Sequence, residues 1–332
     1  MSPLTRITSL AALMLVFSSA DALSLKRTYA GANFFDGFDF RQATNMTSLS
    51  KMSDFEGGID PTKGFVDYLP RKQAEARGLA KVQGNQVRLA ADSTTVYSNK
   101  DKGRASIRLE AKDTFDSGLL IADIAHMPGS ACGSWPAFWT FNFEEDPYGE
   151  IDIIEGSMFQ DGNEVTLWTG NQCRFTNIGS KKERNNCKTG GDEAKGCGSM
   201  GPSNSYGTPF NDVGGGVYAM YLEAQRVRVW FFPNATVPAD IRADKPNPNG
   251  WASGALISDF QTKNGGCDIA RNIHTQSVII NIDFCGSEVS GSWWEESEDC
   301  SRVAPTCNEY VAKNPAAFVE AYWLINSVKL FQ

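Results

Sequence analysis

Short segments that alternate apolar and polar residues, or are rich in β-branched and aromatic residues, dominate this sequence, and they are typical of β-strands. Gly at 31 positions and Pro at 14 separate them with turns. Only residues 315–320 have a helical pattern. Many strands with almost no helix predict an all-β fold of two packed antiparallel sheets. The predicted strands cover residues 106–111, 118–125, 135–143, 150–155, 164–169, 218–223, 226–232, 277–284 and 323–330.

Charge and histidine content exclude several classes of function. The net charge of −8 argues against a nucleic acid or an anionic membrane as the partner, because both attract basic surfaces. The only histidines are His126 and His274, and no Cys-x-x-Cys pair occurs, so no metal site is expected. Phosphate-binding glycine motifs are also missing, and we expect no cofactor. His126 follows an apolar strand and is expected to pack there.

Residues 1–22 have the features of a signal peptide. Arg6 precedes an apolar stretch at 10–17 that is too short to span a bilayer, and a small-x-small pattern ends at Ala22. A buried N-terminal helix is the alternative. Residues 23–332 show no repeat and no change of composition, which predicts a single domain. We therefore expect a secreted, extracellular monomer, either free or associated with a cell wall.

Cysteine usage agrees with secretion. An even number of cysteines in an oxidising compartment predicts up to four disulfides, and the sequence does not choose among the 105 possible pairings. The sequons at Asn45 and Asn234 predict N-glycosylation. The segment 173–216 is polar and contains three cysteines, which predicts a long loop tied by disulfides. The eight cysteines are Cys132, Cys173, Cys187, Cys197, Cys267, Cys285, Cys300 and Cys307.

One predicted strand carries three acids in the segment Gly-Glu-Ile-Asp-Ile-Ile-Glu-Gly at 149–156. Side chains alternate along a strand, so Glu150 and Asp152 share a face, whereas Glu155 would point to the other face. A β-bulge at the second and third isoleucines returns Glu155 to the acidic face. The carboxyls of Glu150 and Glu155 then approach to roughly 5 Å, the separation found in retaining glycosidases. This interpretation makes Glu150 the nucleophile, Glu155 the acid/base and Asp152 the orienting residue.

Aromatic residues strengthen the sugar hypothesis. Trp-Pro-Ala-Phe-Trp places Trp135 and Trp139 on one face of a neighbouring strand. Indole rings beside carboxylates suit a sugar, because the C–H faces of a pyranose stack on them. The alternatives are core packing for the tryptophans and a solvated strand face for the acids. Two weaker substrate-binding candidates are Trp251, for which a loop anchor is the alternative, and Arg104, for which an ordinary surface arginine is the alternative.

These motifs together resemble glycoside hydrolase family 16. The likeness lies in a Ser-Ala-Cys-Gly loop at 130–133, the Trp-Pro-Ala-Phe-Trp segment and the bulged acidic motif, and the nearest branch is the secreted fungal laminarinase type. The resemblance implies a concanavalin-like β-jelly-roll sandwich with a substrate cleft on its concave sheet. It also implies retaining endo-hydrolysis of β-1,3- or mixed β-1,3/1,4-glucans, with Glu150 as nucleophile and Glu155 as acid/base.

The chain departs from the family pattern at Trp168-Thr169, where the family commonly has His-Thr. An indole there is expected near the leaving-group side, which makes Trp168 a further substrate-binding candidate. This indole also motivates an alternative function, a wall transglycosylase that transfers glucan to a sugar. A glucan-binding lectin-like protein on the same fold, without catalysis, is a separate alternative. A β-glucan is the expected partner in each case. A carboxyl pair in an acidic protein predicts a mildly acidic pH optimum.

Overall fold

The computed structural model describes residues 23–42, 62–98, 100–142, 147–171, 173–175, 186–188, 196–261, 266–287 and 289–332. The predicted signal peptide and the Asn45 sequon lie outside these residues, so both stay predictions. In the described parts of the chain, no helix has the length and apolar character needed to cross a bilayer.

Strands make up most of the described secondary structure, and the segments predicted as strands form strands with ends that differ by a few residues. The exception is 106–111, which is divided between a strand that ends at Ser106 and another that begins at Arg108. The strands in chain order are β1 (Leu25–Tyr29), β2 (Phe38–Phe40), β3 (Val66–Tyr68), β4 (Ala80–Gln83), β5 (Gln86–Ala90), β6 (Arg104–Ser106), β7 (Arg108–Phe115), β8 (Gly118–His126), β9 (Ser134–Phe141), β10 (Gly149–Glu155), β11 (Glu164–Thr169), β12 (Cys197–Met200), β13 (Gly216–Glu223), β14 (Arg226–Pro233), β15 (Leu256–Gln261), β16 (Gln276–Phe284) and β17 (Tyr322–Phe331).

The expectation of a single helical segment is wrong. Segment 315–320 forms only a short 3₁₀-helix at Pro315–Phe318, and seven α-helices of four to seven residues occur among the described connections. Helices this short complete one or two turns, too few for a 3.6-residue apolar period to show in the sequence. They are α1 (Arg71–Ala76), α2 (Gly207–Asp212), α3 (Ala239–Arg242), α4 (Ile269–Asn272), α5 (Ser292–Glu296), α6 (Glu298–Ser301) and α7 (Cys307–Lys313).

Two antiparallel sheets form the fold, which confirms the all-β prediction. One has eight strands in the order β15-β14-β13-β8-β17-β5-β4, with β1 also paired to β17. The other has seven strands in the order β12-β11-β10-β9-β16-β7-β2. A small parallel pair joins β3 to β6. Because β10 lies inside the seven-stranded sheet, neighbouring strands flank the acidic motif on both sides.

The core lies between the two sheets, and strand alternation decides which side chains enter it. On β14, Val227, Val229 and Phe231 join the main core, whereas Trp230 and Phe232 point to the outer face of the eight-stranded sheet. A second apolar cluster forms on that outer face. On β10 the isoleucines enter the main core, so the acids point to the outer face of the seven-stranded sheet. The acids and the second cluster therefore occupy opposite sides of the molecule.

All eight cysteines form disulfides, which confirms the predicted number and supplies the pairing that the sequence left open. The predicted loop 173–216 is tied by two of them, although it also contains β12 and α2. The pairs are Cys132–Cys300, Cys173–Cys267, Cys187–Cys197 and Cys285–Cys307.

Candidate active site

The predicted β-bulge is present in β10. Against β9, Asp152 pairs with Trp139 and Ile154 pairs with the adjacent Phe138, so Ile153 is the extra residue. The register against β11 shifts at the same place. Both Ile153 and Ile154 are buried in the main core. Ile154 therefore occupies the inward position, and Glu155 lies on the same face as Asp152.

A side chain outside β10 bonds the backbone on both sides of this bulge. The Asn163 amide nitrogen donates to the carbonyl of Ile153 at 2.8 Å, and its amide oxygen accepts from the backbone N–H of Glu155 at 2.9 Å. Asn163 has no exposed surface. The backbone that carries Glu155 is thus bonded to the residue that immediately precedes β11.

Glu150 lies half-buried near the start of β10. The hydroxyl of Tyr148 donates to Glu150 Oε2. Desolvation by burial raises the pKa of Glu150 to about 7, against the Tyr148 hydrogen bond and the positive charge of Arg108, which lower it. A raised pKa at this carboxyl is expected to move the acidic limb of an activity profile towards neutral pH.

Each of the other two acids accepts a hydrogen bond from an indole. Trp135 Nε1 donates to Glu155 Oε1 at 3.0 Å, and Trp168 Nε1 donates to Asp152 Oδ2 at 3.2 Å. Trp168 is the register partner of Glu150 on β11, so its ring lies across the strand from that carboxyl. Both indoles are half-buried. They orient the acids and still leave part of each ring open to a ligand.

The site extends across β9 onto β16 and β7. Trp139, also half-buried, donates from Nε1 to Asn281 Oδ1 at 2.8 Å, and Asn281 Nδ2 donates to the hydroxyl of Tyr68 at 3.2 Å. The Arg108 guanidinium lies 5.0 Å from the centre of the Trp139 indole, in cation–π geometry. Aromatic rings and polar groups therefore line a continuous face beside the acids, as a sugar chain requires.

Arg104 does not contribute to this face, and its prediction as a substrate-binding residue is wrong. The side chain has no exposed surface. Its guanidinium donates to the carbonyls of Val311 and Asp92, and it stacks near the ring of Phe318. Carbonyls from distant parts of the chain accept the hydrogen bonds of the buried guanidinium, so Arg104 has a structural role.

Trp251, the other weaker substrate-binding candidate, lies away from the acids and is not part of the site beside them. Its ring packs edge-on against Trp230 at 5.0 Å and Phe232 at 5.3 Å, in the second apolar cluster. Its Nε1 donates to Asp240 Oδ2 at 2.9 Å. The alternative reading of Trp251 as a loop anchor matches these contacts. Trp251 lines an open groove of about 650 Å³ on that opposite side of the molecule.

The remaining candidates take structural or surface positions. His126 stacks on Tyr322 with ring centres 3.8 Å apart, and burial lowers the pKa of its imidazole, so it is packed as expected. Asn234 is exposed on a 3₁₀ turn, a position open to glycosylation. No group of three or more His, Cys, Asp or Glu side chains within the described residues is arranged to hold a metal ion.

Sequence reasoning missed several residues of the site. Tyr148 could have been found, because it lies two residues before Glu150 and side chains repeat every two residues on a strand. Arg108 and Asn281 reach the site only because β16 pairs with β9 and β7 pairs with β16. Nothing in the local sequence marks Asn163 as a partner of the bulge.

Comparison with known proteins identifies the family. A model described as the XgeA-like catalytic domain of glycoside hydrolase family 16 matches residues 53–331. The chain belongs to glycoside hydrolase family 16. An endo-1,3(4)-β-glucanase of Arthroderma benhamiae is 38% identical over 290 residues, which cover 84% of this chain and 61% of the relative.

Solved structures of family 16 share the fold. A β-1,3-glucosyltransferase described as elongating superposes with a TM-score of 0.82 at 36% identity, over 94% of this chain and all of the other. Laminarinase 16A of Phanerochaete chrysosporium, solved with 6-O-glucosyl-laminaritriose in its donor and acceptor sites, gives 0.81 at 33% identity over the same shares. The β-jelly-roll prediction is confirmed. The chain spans 41% and 61% of the length of two of the curated fungal relatives it matches.

Proposed function

We propose that this family 16 protein is a secreted, retaining endo-β-glucanase that hydrolyses β-1,3- or mixed β-1,3/1,4-glucans. The observation that carries the proposal is the bulge at Ile153, which places Glu150, Asp152 and Glu155 on one face beside half-buried tryptophans. Two carboxyls with distinct hydrogen-bond partners suit the two roles of a glycosidase. The relatives named as endo-1,3(4)-β-glucanases support the substrate class.

In the first step, a carboxylate oxygen of Glu150 attacks the anomeric carbon, and the bond to the leaving oxygen breaks. Glu155 gives its proton to that oxygen, so the shortened glucan leaves as an alcohol. Trp135 holds the Glu155 carboxyl by its 3.0 Å hydrogen bond, and Trp168 holds Asp152 between the two glutamates. Asp152 acts in this scheme as the orienting residue.

In the second step, the carboxylate of Glu155 takes a proton from water, and the water oxygen attacks the same carbon. The ester bond to Glu150 breaks and regenerates its carboxylate, so the product keeps the β configuration. Trp135, Trp139 and Trp168 provide partly open rings on which glucose units can stack. We propose these three as the aromatic sugar contacts.

Transfer to a sugar acceptor is the second candidate function. Two observations favour it: Trp168 stands where the family commonly has His, and a structural neighbour with 36% identity is described as a glucosyltransferase. Mass analysis of products from laminaripentaose separates the two functions. Products longer than the substrate indicate transfer, whereas shorter products alone indicate hydrolysis. If Trp168 favours a sugar acceptor, Trp168→His lowers the share of elongated products.

The experiment that tests the main proposal uses Glu150→Gln, which keeps the size of the side chain and removes its charge. We expect release of reducing sugar from laminarin to fall by at least about 10³-fold. Glu223→Gln, on the outer face of the other sheet, is the matched control and should retain wild-type activity. Undiminished activity of Glu150→Gln would refute the proposal.

We also propose that the mature protein is extracellular and works as a monomeric single domain. Disulfides at all eight cysteines support an oxidising compartment. The predicted leader and the exposed Asn234 sequon agree with that compartment. Peptide mapping of protein from the culture medium tests the leader through the N-terminal residue of the mature chain, and it tests the sequon through a glycan on Asn234.

A further inference from the structure

The bulge in β10 creates a structural requirement of its own. A bulge interrupts the ladder of backbone hydrogen bonds, and buried backbone groups near it need other partners. Here the interruption lies between Asp152 and Glu155, next to the side chain that we propose as the acid/base. The position of Glu155 therefore depends on the group that forms hydrogen bonds with the backbone at the bulge.

Asn163 supplies these bonds with a single amide. It donates to the carbonyl of Ile153 at 2.8 Å and accepts from the N–H of Glu155 at 2.9 Å, so it spans the bulge from one side to the other. The amide of an Asn or Gln side chain offers a donor and an acceptor side by side in one planar group. An ionised Asp keeps the acceptor alone, and the similarly sized Leu offers neither.

Asn163 is itself fixed from the opposite direction. Its backbone N–H donates to Ser205 Oγ at 2.8 Å, and its carbonyl accepts from the N–H of Gly201 at 2.7 Å. Ser205 in turn donates to the carbonyl of Pro202 at 2.6 Å. Asn163 therefore connects the segment after β12 to the bulge, through backbone hydrogen bonds on one side and side-chain hydrogen bonds on the other.

A second buried asparagine makes the same pair of bonds at the other end of β10. Asn142 Nδ2 donates to the carbonyl of Pro147 at 2.8 Å, and its Oδ1 accepts from the N–H of Gly149 at 2.8 Å. Its exposed fraction is 1%. Asn142 thus bonds the backbone beside Glu150, as Asn163 bonds the backbone beside Glu155.

We propose that Asn163 is a positioning residue for the acid/base Glu155: its amide holds the bulge in the form that presents this carboxyl to the leaving oxygen. This inference deepens the proposed function and rests on it. Asn163 acts through Glu155 and touches neither sugar nor nucleophile. Its loss therefore affects proton transfer more than nucleophilic attack.

The test compares two substrates for Asn163→Leu and Asn163→Asp. Laminarin needs a proton on its leaving oxygen, whereas 2,4-dinitrophenyl β-laminaribioside releases a stable phenolate without one. We expect kcat/KM on laminarin to fall about 10- to 100-fold, because small misplacements of a catalytic group have effects of that size. On the dinitrophenyl substrate we expect a loss of about threefold or less.

Azide provides a second readout that a purely structural role would not change. The azide anion attacks the glycosyl-enzyme without a general base and releases the Glu150 carboxylate, with β-laminaribiosyl azide as the product. In the Asn163 variants, azide should raise kcat on the dinitrophenyl substrate and yield this product. The wild-type protein, with Glu155 in place, should show little acceleration.

Asn142→Leu is the matched control, because it removes an equally buried amide with the same pair of bonds at the nucleophile end. Any loss it causes should be equal on the two substrates, since both require attack by Glu150. Equal losses on both substrates for the Asn163 variants would overturn the proposal, and so would unchanged activity on laminarin.

Two outcomes separate this inference from the proposed function. A wild-type protein with no activity on either substrate refutes the function, whereas an active wild type with substrate-independent losses in the Asn163 variants refutes the inference alone. If Asn163→Leu does not fold, Asn163→Asp and Ser205→Ala carry the test. Ser205→Ala removes the acceptor for the Asn163 N–H together with the donor to the Pro202 carbonyl, but it leaves the Asn163 side chain in place. We expect a smaller loss that is again confined to laminarin.

Discussion

Replacing Tyr148 with phenylalanine tests what controls the ionisation of Glu150. Desolvation raises the pKa of this carboxyl, and the Tyr148 hydroxyl lowers it by donating to Oε2. Tyr148→Phe keeps the ring and removes only the donor. The carboxylate loses a stabilising bond, so the pKa of Glu150 should rise further above its ordinary value.

The size of this rise follows from the strength of the bond. A hydrogen bond to a charged group contributes about 1.5–3 kcal/mol, and 1.36 kcal/mol corresponds to one pKa unit. Water that reaches the half-buried carboxyl replaces part of the lost donor, so we expect a rise of about one unit. Glu150 attacks as a carboxylate, and kcat/KM therefore falls as the pH drops through its pKa.

The assay is kcat/KM for laminarin measured from pH 4 to pH 9. Tyr148→Phe should move the acidic limb of the pH profile to higher pH by about one pH unit, so that kcat/KM at a given pH on that limb falls about tenfold. Tyr221→Phe, on the outer face of the other sheet, should leave the profile unchanged. An acidic limb of Tyr148→Phe that stays in place or moves to lower pH would refute this account of Glu150.

Two further predictions test the residues that lie outside the site. Burial opposes ionisation of Asp92, but the N–H groups of Thr95 and Thr94 and the Arg77 charge hold its pKa well below the usual range. Asp92→Asn should therefore lower the free energy of unfolding at pH 7 by about 3 kcal/mol. The difference in unfolding free energy between wild type and Asp92→Asn should narrow as the pH falls below about 3.9, because the wild type then starts to lose the contribution of its ionised Asp92. A difference that does not depend on pH would contradict the lowered pKa of Asp92. Trp251→Ala should keep kcat/KM for laminaripentaose within about twofold of wild type, because the Trp251 ring packs on the opposite sheet. A larger loss would show that Trp251 contributes to substrate binding.

The acidic strand could be predicted because its spacing had one physical solution. Three acids and three isoleucines fit a strand with one buried face only if an extra residue is inserted before Glu155. The structure places that residue at Ile153. Local periodicity thus predicted the strand, its bulge and the face that carries the acids.

The remaining errors concern contacts between distant parts of the chain. Arg104 donates to the carbonyl of Val311, 207 residues away, and no local pattern distinguishes such a buried arginine from a surface one. The sequence offers Trp251 as a substrate-binding candidate because a loop tryptophan does not reveal which sheet it covers. The disulfide pairing and the role of Asn163 likewise depend on folding that brings separate segments together.

Covalent trapping tests the central claim most directly. The probe is a 2-deoxy-2-fluoro β-laminaribioside with a dinitrophenyl leaving group. Its fluorine slows both steps, because it destabilises the positive charge of both transition states. The good leaving group offsets this effect only in the first step, so the glycosyl-enzyme accumulates. Peptide mass analysis should then find one laminaribiosyl group per protein, attached to Glu150. A label on Glu155, or turnover without any label, would contradict the assignment of Glu150 as the nucleophile.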